Sequence, residues 1–393
     1  MLAILPQYGA IAFVNTEQWI AADQAHCWHP FTRQDDWVKG LPADPLVLVD
    51  GEGSWLTDSE GRRYIDGNSS IWTNIHGHKH PVINEAMIDQ INKVAHTSYL
   101  GFANPRASEL ASRLSALFPP RTLERVFFSD DGSTAVECAL KMEIQYRIQV
   151  GQAERVHFLA FDLSYHGDTL GAASLGGVGE FFEPFRKFGF PVKHLGGIEE
   201  LEQLDDETIK KTAAVIIEPL VQGVNQIRPW PKGMLAKLRM WCDQHDVHLI
   251  LDEVMTGFGR TGKMFACQHE DVIPDYLCLA KGLSGGYMPL AATMVRGEIY
   301  NAFLGGADKA FYYGHSYTAN QLGCAAGLAS LDVFEQEHTL DYLPEKIGYL
   351  TQQLEQLADD EALVHEVRQC GMIAGIELRG SDGRAFDGNL RVG

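Results

Sequence analysis

Two residues in the sequence, Asp252 and Lys281, have types and positions that suit chemistry. Asp252 directly follows an apolar run at 249–251, and Lys281 follows soon after a second apolar run at 276–279. Short apolar runs bounded by polar and glycine residues are typical of buried parallel strands. Side chains beyond the carboxyl ends of such strands face one crevice of an open α/β sheet, so we expect Asp252 and Lys281 to share a site.

A carboxylate and a lysine amine in one crevice suit the cofactor pyridoxal 5′-phosphate (PLP). This cofactor condenses with a lysine amine, and an acid keeps its pyridine nitrogen protonated so that the ring can accept electrons. The lysine must lose its proton before it attacks a carbonyl, and a partly desolvated, cationic pocket promotes that loss. The alternative from the residues alone is a buried Asp–Lys ion pair, and the spacing does not decide between the two.

The composition is that of an acidic, globular chain. At 393 residues it is too long for one ordinary core, so two domains are expected. Its net charge of −20 disfavours nucleic acid and anionic membrane surfaces as partners. The seven cysteines occur singly and form no CxxC pair, which indicates a reducing compartment, and we expect the cytoplasm.

The pattern of apolar residues predicts an α/β fold with a mostly parallel central sheet flanked by helices. From about Arg125 strand and helix patterns alternate, which is typical of a parallel sheet. The expected strands are 125–129, 157–161, 213–217, 248–252, 276–279 and 290–294. The expected helices include 133–149, 232–245, 321–334 and 343–357.

A smaller α+β domain is expected from the two ends of the chain. Short strand patterns separated by glycine-containing turns predict a meander. These strand patterns lie at 46–49, 54–57 and 63–65. A loop is expected to follow at 66–77, and strands at 364–368 and 373–378 are expected to return to the small domain.

These patterns set the expected domain boundaries. Residues 15–80 and 336–393 are assigned to the small domain, and residues 81–335 to the large domain. The apolar segment at 1–14 has no basic start and is too short to span a bilayer, so we expect a non-native leader.

The segments around the two anchor residues resemble one family. DEVMTGFGRTG at 252–262, followed by LAKGLSGGYMPLAA at 279–292, is similar to the class III, fold-type-I PLP-dependent aminotransferases. The resemblance implies that Lys281 condenses with PLP and that Asp252 binds its pyridine nitrogen. It also implies small-molecule substrates and a homodimer whose active site lies at the interface.

Further cofactor contacts are expected at a strand–helix junction and in two loops. The segment SDDGST at 129–134 offers helix N-terminal amides, which bind phosphate well, although an ordinary helix cap is the alternative. The resemblance makes Gly132 and Ser133 the phosphate site and Tyr165 the aromatic ring that covers the pyridine. It implies that Ser316 binds the phosphate of the partner subunit's cofactor.

The same resemblance suggests fallback and undecided positions. Thr318 is the fallback for Ser316, and Gly314, at the start of that loop, is assigned to the substrate. Asp168 is expected to support the local fold rather than the chemistry. Glu218 and Gln222, in the segment EPLVQG, either face the pocket or hold a turn.

Within the class, four segments resemble the branch that aminates 8-amino-7-oxononanoate in biotin biosynthesis, usually with S-adenosylmethionine as the amino donor. They are HPFT at 29–32, DGNSSIWTNIHGHKHP at 66–81, YHGDT at 165–169 and DEVMTGFGRTGKMFACQHE at 252–270. The resemblance places Trp72 in the substrate pocket, where a flat indole suits a long aliphatic chain.

The chain departs from the commonest pattern of that branch at two positions. Ile71 stands where many members have a second tryptophan, and Phe31 stands where they have a tyrosine; both are assigned to the substrate pocket. The loop at 314–325 also resembles members that use lysine as the donor, so the donor stays open. Arg260 is expected either to meet a substrate carboxylate or to pair with a nearby acid.

Other functions stay open from the sequence. Another class III enzyme acting on an ω-amino acid or diamine would carry the same anchors. The other alternative is a non-catalytic PLP-binding fragment, because the arginine with which the family binds the oxononanoate carboxylate has no counterpart before Gly393. We therefore expect this chain to bind the cofactor but to turn over weakly. No metal site is expected, although His76, His78 and His80 have ligand-like spacing.

Overall fold

The structure is a computed structural model that describes residues 15–41 and 43–386, so the expected leader at 1–14 lies outside the described residues. The described chain separates into two compact units. One contains the residues up to Ser70 together with Gly77–His80, and the other contains Ile71–His76 together with the residues from Pro81 onward. The assignment of 15–80 and 336–393 to one small domain stays a prediction.

The smaller unit consists of two helices and a three-stranded sheet. The helices are α1 (Thr16–His26) and α2 (Gln34–Val38). The antiparallel strands, in the spatial order of the chain, are β1 (Leu48–Glu52), β2 (Trp55–Asp58) and β3 (Arg63–Ile65). The predicted meander is therefore confirmed.

The larger unit is organised around a seven-stranded sheet, and the predicted α/β fold is confirmed. Its strands are β4 (Leu123–Ser129), β5 (His157–Phe161), β6 (Val192–Leu195), β7 (Thr212–Ile217), β10 (His248–Asp252), β11 (Tyr276–Leu279) and β12 (Ala291–Arg296). The intervening β8 (Val221–Gln222) and β9 (Arg228–Pro229) form a separate antiparallel pair, as do β13 (Val364–Cys370) and β14 (Ile373–Leu378).

The order of the seven strands is β4-β12-β11-β10-β7-β5-β6. Strand β12 pairs antiparallel with both of its neighbours, and the other pairs are parallel. Strand β6 was missed by the sequence analysis, because it is a short edge strand that carries a lysine and a histidine between its apolar ends.

The remaining helices follow β3 in the chain. They are α3 (Ser69–Trp72), α4 (Pro81–Lys93), α5 (Pro105–Ala116), α6 (Gly132–Gln149), α7 (Leu170–Leu175), α8 (Gly179–Phe182), α9 (Asp206–Lys211), α10 (Met234–His245), α11 (Gly297–Ala302), α12 (Gln321–Gln336) and α13 (Thr339–Asp360). Short 3₁₀ turns include one at Lys281–Ser284. None of the helices in the described ranges is both long and apolar enough to cross a bilayer.

The core lies on both faces of the sheet. Every residue of β7 and β11 is buried, which is the pattern of a strand covered by helices on two sides. Helix α12 is buried over most of its circumference and packs on α4 and α5. The sheet is thus a rigid platform from which the carboxyl ends of β7, β10 and β11 present their following residues.

The segment at 66–77, expected to be a plain loop, contains an unusual backbone turn. All four residues of α3 have positive φ, between 50° and 65°, so the turn is left-handed. Left-handed helical geometry costs L-residues about 1–2 kcal/mol each. On the side of the smaller unit the turn is held by Asp66, whose carboxylate accepts hydrogen bonds from the Ser70 amide and hydroxyl and lies 2.9 Å from His78 Nε2.

Candidate active site

The ends of β10 and β11 bring the two anchor residues to one edge of the sheet, as the sequence predicted. Asp252 is the last residue of β10 and pairs in register with Cys278 of β11. Lys281 follows β11 after one intervening residue and adopts a positive φ of 43° as it opens the 3₁₀ turn. The two charges interact, because Asp252 is among the groups that act on the pKa of Lys281.

Asp252 is buried and held by two donors. His166 Nδ1 lies 2.8 Å from Asp252 Oδ2, and the Val254 amide donates to Asp252 Oδ1 at 3.1 Å. His166 is itself buried, and its Nε2 has no hydrogen-bond partner among the described residues. The carboxylate therefore has a fixed orientation, which suits a partner for a protonated ring nitrogen.

Lys281 is an amine in a desolvated and partly cationic setting. Burial is the largest cause that lowers the pKa of Lys281, and the charge of Arg260 lowers it further, while the carboxyls of Asp252 and Glu218 oppose the shift. Lys281 Nζ also lies 4.6 Å from the centre of the Trp72 ring. These surroundings increase the fraction of neutral amine, which is the form that attacks a carbonyl.

The turn before α6 has the geometry of a phosphate cradle. The Asp131 side chain accepts from the Thr134 amide at 2.9 Å and caps the helix. A Cβ on Gly132 would come within 2.7 Å of Val254 Cγ1, so only glycine fits there. Ser133 Oγ accepts from the Asp168 amide at 3.1 Å, which fixes its hydroxyl. The predicted cap is present and uses the third amide of the helix, and the phosphate site at Gly132 and Ser133 stays a prediction.

Tyr165 is oriented by its neighbours. Its hydroxyl donates to Asp168 Oδ2 at 2.6 Å, and its ring lies nearly parallel to Phe182, with centroids 6.2 Å apart. Burial and the hydrogen bond to Asp168 raise the pKa of Tyr165, so the phenol is neutral. Asp168 has the supporting position that the sequence analysis expected, and the stacking role of Tyr165 stays a prediction.

Trp72 is a direct neighbour of Lys281. Its indole packs against a small buried cluster of Val221, Met255 and Ile373. Gly223 allows this packing, because a Cβ there would lie 2.6 Å from Met255 Sδ and 3.3 Å from Trp72 Cη2. The structure therefore brings Trp72 and Lys281 together.

The remaining substrate-side predictions have different outcomes. Arg260 donates from Nη2 to the Asn74 carbonyl at 3.0 Å, and its charge reaches Lys281, so it faces the cleft. Ile71 is 65% exposed, and Phe31 is 72% exposed in the smaller unit. A contact of Ile71 or Phe31 with substrate stays a prediction.

The loop of Gly314 and Ser316 lies in a separate groove. This groove has a volume of about 690 Å³ and is lined in part by Phe311, Tyr312 and Tyr313. Its described lining contains neither Lys281 nor any other residue of the cleft around it. Thr318 Oγ1 accepts from the His315 amide at 3.0 Å, whereas Ser316 is exposed. Ser316 is more exposed than the fallback Thr318, and the phosphate contact of either residue stays a prediction.

Two functional positions were unassigned or undecided in the sequence. His166 was quoted only as part of a motif, although its place directly after Tyr165 in a polar segment beyond β5 was the available signal. Glu218 was left between two roles, and the choice stays open: its Oε1 is 3.5 Å from the Gly223 amide, which suits a turn, and its buried carboxyl is close enough to Lys281 for the two groups to influence each other's pKa.

The histidines with ligand-like spacing have other partners. His76 Nε2 lies 3.0 Å from Ser330 Oγ, and His78 Nε2 lies 2.9 Å from Asp66. Within residues 15–41 and 43–386 no group of three or more His, Cys, Asp or Glu residues could hold a metal ion.

Comparison with known proteins bears on the whole chain. Residues 41–387 match the family model described as aminotransferase class-III. Adenosylmethionine-8-amino-7-oxononanoate aminotransferase from Geobacter sulfurreducens is 45% identical over 395 residues, which cover 94% of this chain and 86% of that protein.

Two solved structures extend the comparison to the fold. The crystal structure of adenosylmethionine-8-amino-7-oxononanoate aminotransferase from Methanocaldococcus jannaschii superposes with a TM-score of 0.89 at 38% identity, covering 93% of this chain and 85% of the other. A PLP-bound amine transaminase from an uncultivated Pseudomonas species has a TM-score of 0.83 at 33% identity, covering 89% and 84%. This chain belongs to the class III aminotransferases, which have the fold-type-I architecture and use pyridoxal phosphate.

Proposed function

We propose that this enzyme transfers an amino group to 8-amino-7-oxononanoate and forms 7,8-diaminononanoate in biotin biosynthesis, with S-adenosylmethionine as the donor. The observation that carries the chemistry is the placement of a desolvated Lys281 amine beside the buried Asp252 carboxylate. The choice of substrate is supported by the names of the relatives that match most of the chain at 38–46% identity.

The residues of the cleft fit the cofactor of the family. Gly132 and Ser133 would hold its phosphate, Asp252 its pyridine nitrogen, Tyr165 its ring face and Lys281 its carbonyl carbon. When bound there, PLP supplies an electron sink that stabilises negative charge on the carbon next to the substrate nitrogen. The close approach of Val254 to Gly132 and the fixed Asp252 carboxylate support this fit.

Lys281 is proposed as the group that moves the proton. Its neutral Nζ removes a proton from the donor carbon and returns it in the later steps, as a general base and then a general acid. The lowered pKa of Lys281 keeps a larger fraction of Nζ ready to accept that proton. Asp252, held by His166 and the Val254 amide, is proposed to orient the pyridine nitrogen.

The substrate side is proposed to combine an apolar wall with a cation. The Trp72 indole suits the aliphatic chain of the oxononanoate, and the Arg260 guanidinium suits a carboxylate. Lysine is the alternative donor, because Ile71 and Phe31 remove polar groups from the donor side and the loop at 314–325 resembles members that use lysine.

We propose a homodimer in the cytoplasm. The dimer is supported by the exposed Ser316, by the large groove beside it and by exposed apolar side chains at Leu100 and Tyr312 on the same groove. The cytoplasm is supported by seven cysteines that are all free thiols. Sedimentation of the holoenzyme gives the oligomeric state.

A panel of donors and acceptors tests the proposal. The full chain, loaded with PLP, is incubated with oxononanoate and either S-adenosylmethionine or lysine, and diaminononanoate is measured by mass spectrometry. We expect product with S-adenosylmethionine and none with Lys281→Ala. Amination of ω-amino-acid-derived aldehydes or amine-derived ketones, with no reaction of the oxononanoate, would overturn the substrate assignment in favour of another class III activity.

A further inference from the structure

Glu218 is a buried acid at the edge of the sheet that the function described so far does not use. It follows β7, the neighbour of β10, so its carboxyl lies on the side of the sheet where Asp252 and Lys281 meet. Its backbone carbonyl accepts from Trp230 Nε1 at 3.0 Å, which fixes the main chain. The side chain is therefore anchored at the wall of the cleft.

The hydrogen bonding of this carboxyl is incomplete. The Glu218 carboxyl has a long contact of 3.5 Å from the Gly223 amide to Oε1 and an interaction with the Tyr165 amide, and the buried Oε2 has no partner within hydrogen-bonding distance among the described residues. Glu253, another buried acid nearby in sequence to Asp252, provides the contrast. It accepts from the amides of Ala266 and Cys267 at 2.6 and 2.8 Å.

The incomplete hydrogen bonding matters because an ionised carboxylate needs several donors when it is removed from water. Burial raises the pKa of Glu253 too, but two short amide hydrogen bonds oppose that shift, whereas one oxygen of Glu218 has no donor among the described residues. Burial raises the pKa of Glu218 well above its usual range, and the negative charge of Asp252 raises it further. The Gly223 amide, the charge of Lys281 and the Tyr165 amide oppose the shift without cancelling it.

We propose that Glu218 is held as a neutral carboxylic acid whose hydroxyl donates a hydrogen bond into the cleft, beside Lys281. A neutral Glu218 leaves Asp252 as the one carboxylate whose charge acts on Lys281 at close range, so the amine is not pushed back toward its ammonium form. The donor suits an anionic oxygen on an aromatic ring, the acceptor that PLP presents next to its carbonyl. Glu218 is thus a positioning residue for the proposed function, on which this inference rests.

The charged groups around Glu218 make the inference testable by pH. They are Asp252, Lys281 and, through Lys281, Arg260, while His166 faces Asp252. If Glu218 is neutral, Glu218→Gln exchanges one neutral donor for another and leaves the protonation of Lys281 unchanged. If Glu218 is ionised, the same substitution removes a negative charge and lowers the pKa of Lys281.

The experiment follows the rate at which the full-length chain captures PLP as a function of pH. We expect the profile of Glu218→Gln to overlay that of the wild type, whereas Asp252→Asn, the positive control, moves it to lower pH by about one unit. Glu218→Leu, which fills similar space without a donor, is expected to release PLP about tenfold faster than Glu218→Gln. A Glu218→Gln profile that moves as far as the Asp252→Asn profile overturns the inference.

Infrared spectroscopy gives a second readout that needs no turnover. The difference spectrum between the wild type and Glu218→Gln at neutral pH is expected to contain the C=O stretching band of a protonated carboxylic acid. A carboxylate band in its place overturns the inference. A chain that captures no PLP at all refutes the proposed function, whereas normal capture with a carboxylate signal refutes only the role of Glu218.

Discussion

Replacing Asp252 by asparagine tests the geometry of the cleft most directly. The substitution keeps the size of the side chain and an oxygen that can accept from the Val254 amide. It removes the negative charge that His166 supports at 2.8 Å. His166 tolerates the change, because its Nε2 has no hydrogen-bond partner among the described residues, so no hydrogen bond at Nε2 fixes the position of the imidazole proton.

The expected loss of rate can be estimated from the interaction that is removed. A hydrogen bond to a charged group is worth about 1.5–3 kcal/mol, so losing the ring-protonating contact in the transition state slows turnover by roughly 10–150-fold. The amine also responds: Asp252 raises the pKa of Lys281, so its removal lowers that pKa. The limb of the pH profile that reports loss of the Lys281 proton is therefore expected at lower pH.

Single-turnover kinetics with a spectroscopic readout of the cofactor measures both effects. PLP is expected to stay bound, because Lys281 and the turn at Gly132 and Ser133 are unchanged. A variant that turns over within about threefold of the wild type would refute the assignment of Asp252, since an effect that small is below the weakest charged hydrogen bond.

The matched control is Glu253→Gln, which changes the neighbouring buried acid. Glu253 serves the fold, because it accepts from the amides of Ala266 and Cys267. A glutamine has one acceptor oxygen, so one amide is left unsatisfied at a cost of about 1–3 kcal/mol of stability. Denaturant unfolding is expected to show this loss for Glu253→Gln and a smaller one for Asp252→Asn.

Three further predictions use other parts of the site. Lys281→Ala is expected to abolish turnover and the covalent attachment of PLP that borohydride makes permanent; retention of a borohydride-fixed adduct on the intact chain would place the attachment elsewhere. Gly132→Ala forces a Cβ to within 2.7 Å of Val254 Cγ1, so PLP affinity measured by fluorescence is expected to fall at least tenfold; unchanged affinity would argue against the cradle. Above about pH 4.5 the folded chain keeps the Glu218 proton, whereas the unfolded chain releases it. The free energy of unfolding of the wild type should therefore fall as pH rises, by up to about 1.4 kcal/mol per pH unit from this group. An equal pH dependence of the free energy of unfolding in Glu218→Gln would contradict this.

The central sheet could be predicted because its strands are buried on both faces. The apolar runs that end at Asp252 and at Leu279 have no polar alternation, and their burial in β10 and β11 is complete. The antiparallel direction of β12 could not be predicted, because an apolar run does not indicate whether the neighbouring strand runs parallel or antiparallel to it. Strand β6 could not be predicted either, because an edge strand needs apolar residues on only one face.

The two anchors of the site could be predicted from position, and their surroundings could not. Asp252 and Lys281 stand at strand ends, where the sheet itself brings them together. His166, the side-chain partner of Asp252, comes from a segment distant in sequence, and the unsatisfied oxygen of Glu218 depends on packing, so both become visible only in three dimensions. The conformations of the loop that carries Ser316 and of the turn that carries Trp72 could not be predicted from the periodicity of apolar residues.

The left-handed turn at Ser69–Trp72 suggests where the substrate range of this enzyme is easiest to alter. Ile71 has a φ of 60°, a conformation that glycine and asparagine adopt far more readily than a β-branched residue does. Exchanges at 71 toward those types relieve backbone strain, and they change the neighbour of Trp72, for which we propose a place in the substrate pocket. In directed evolution, a single substitution at position 71 can therefore both broaden the substrate range and increase stability.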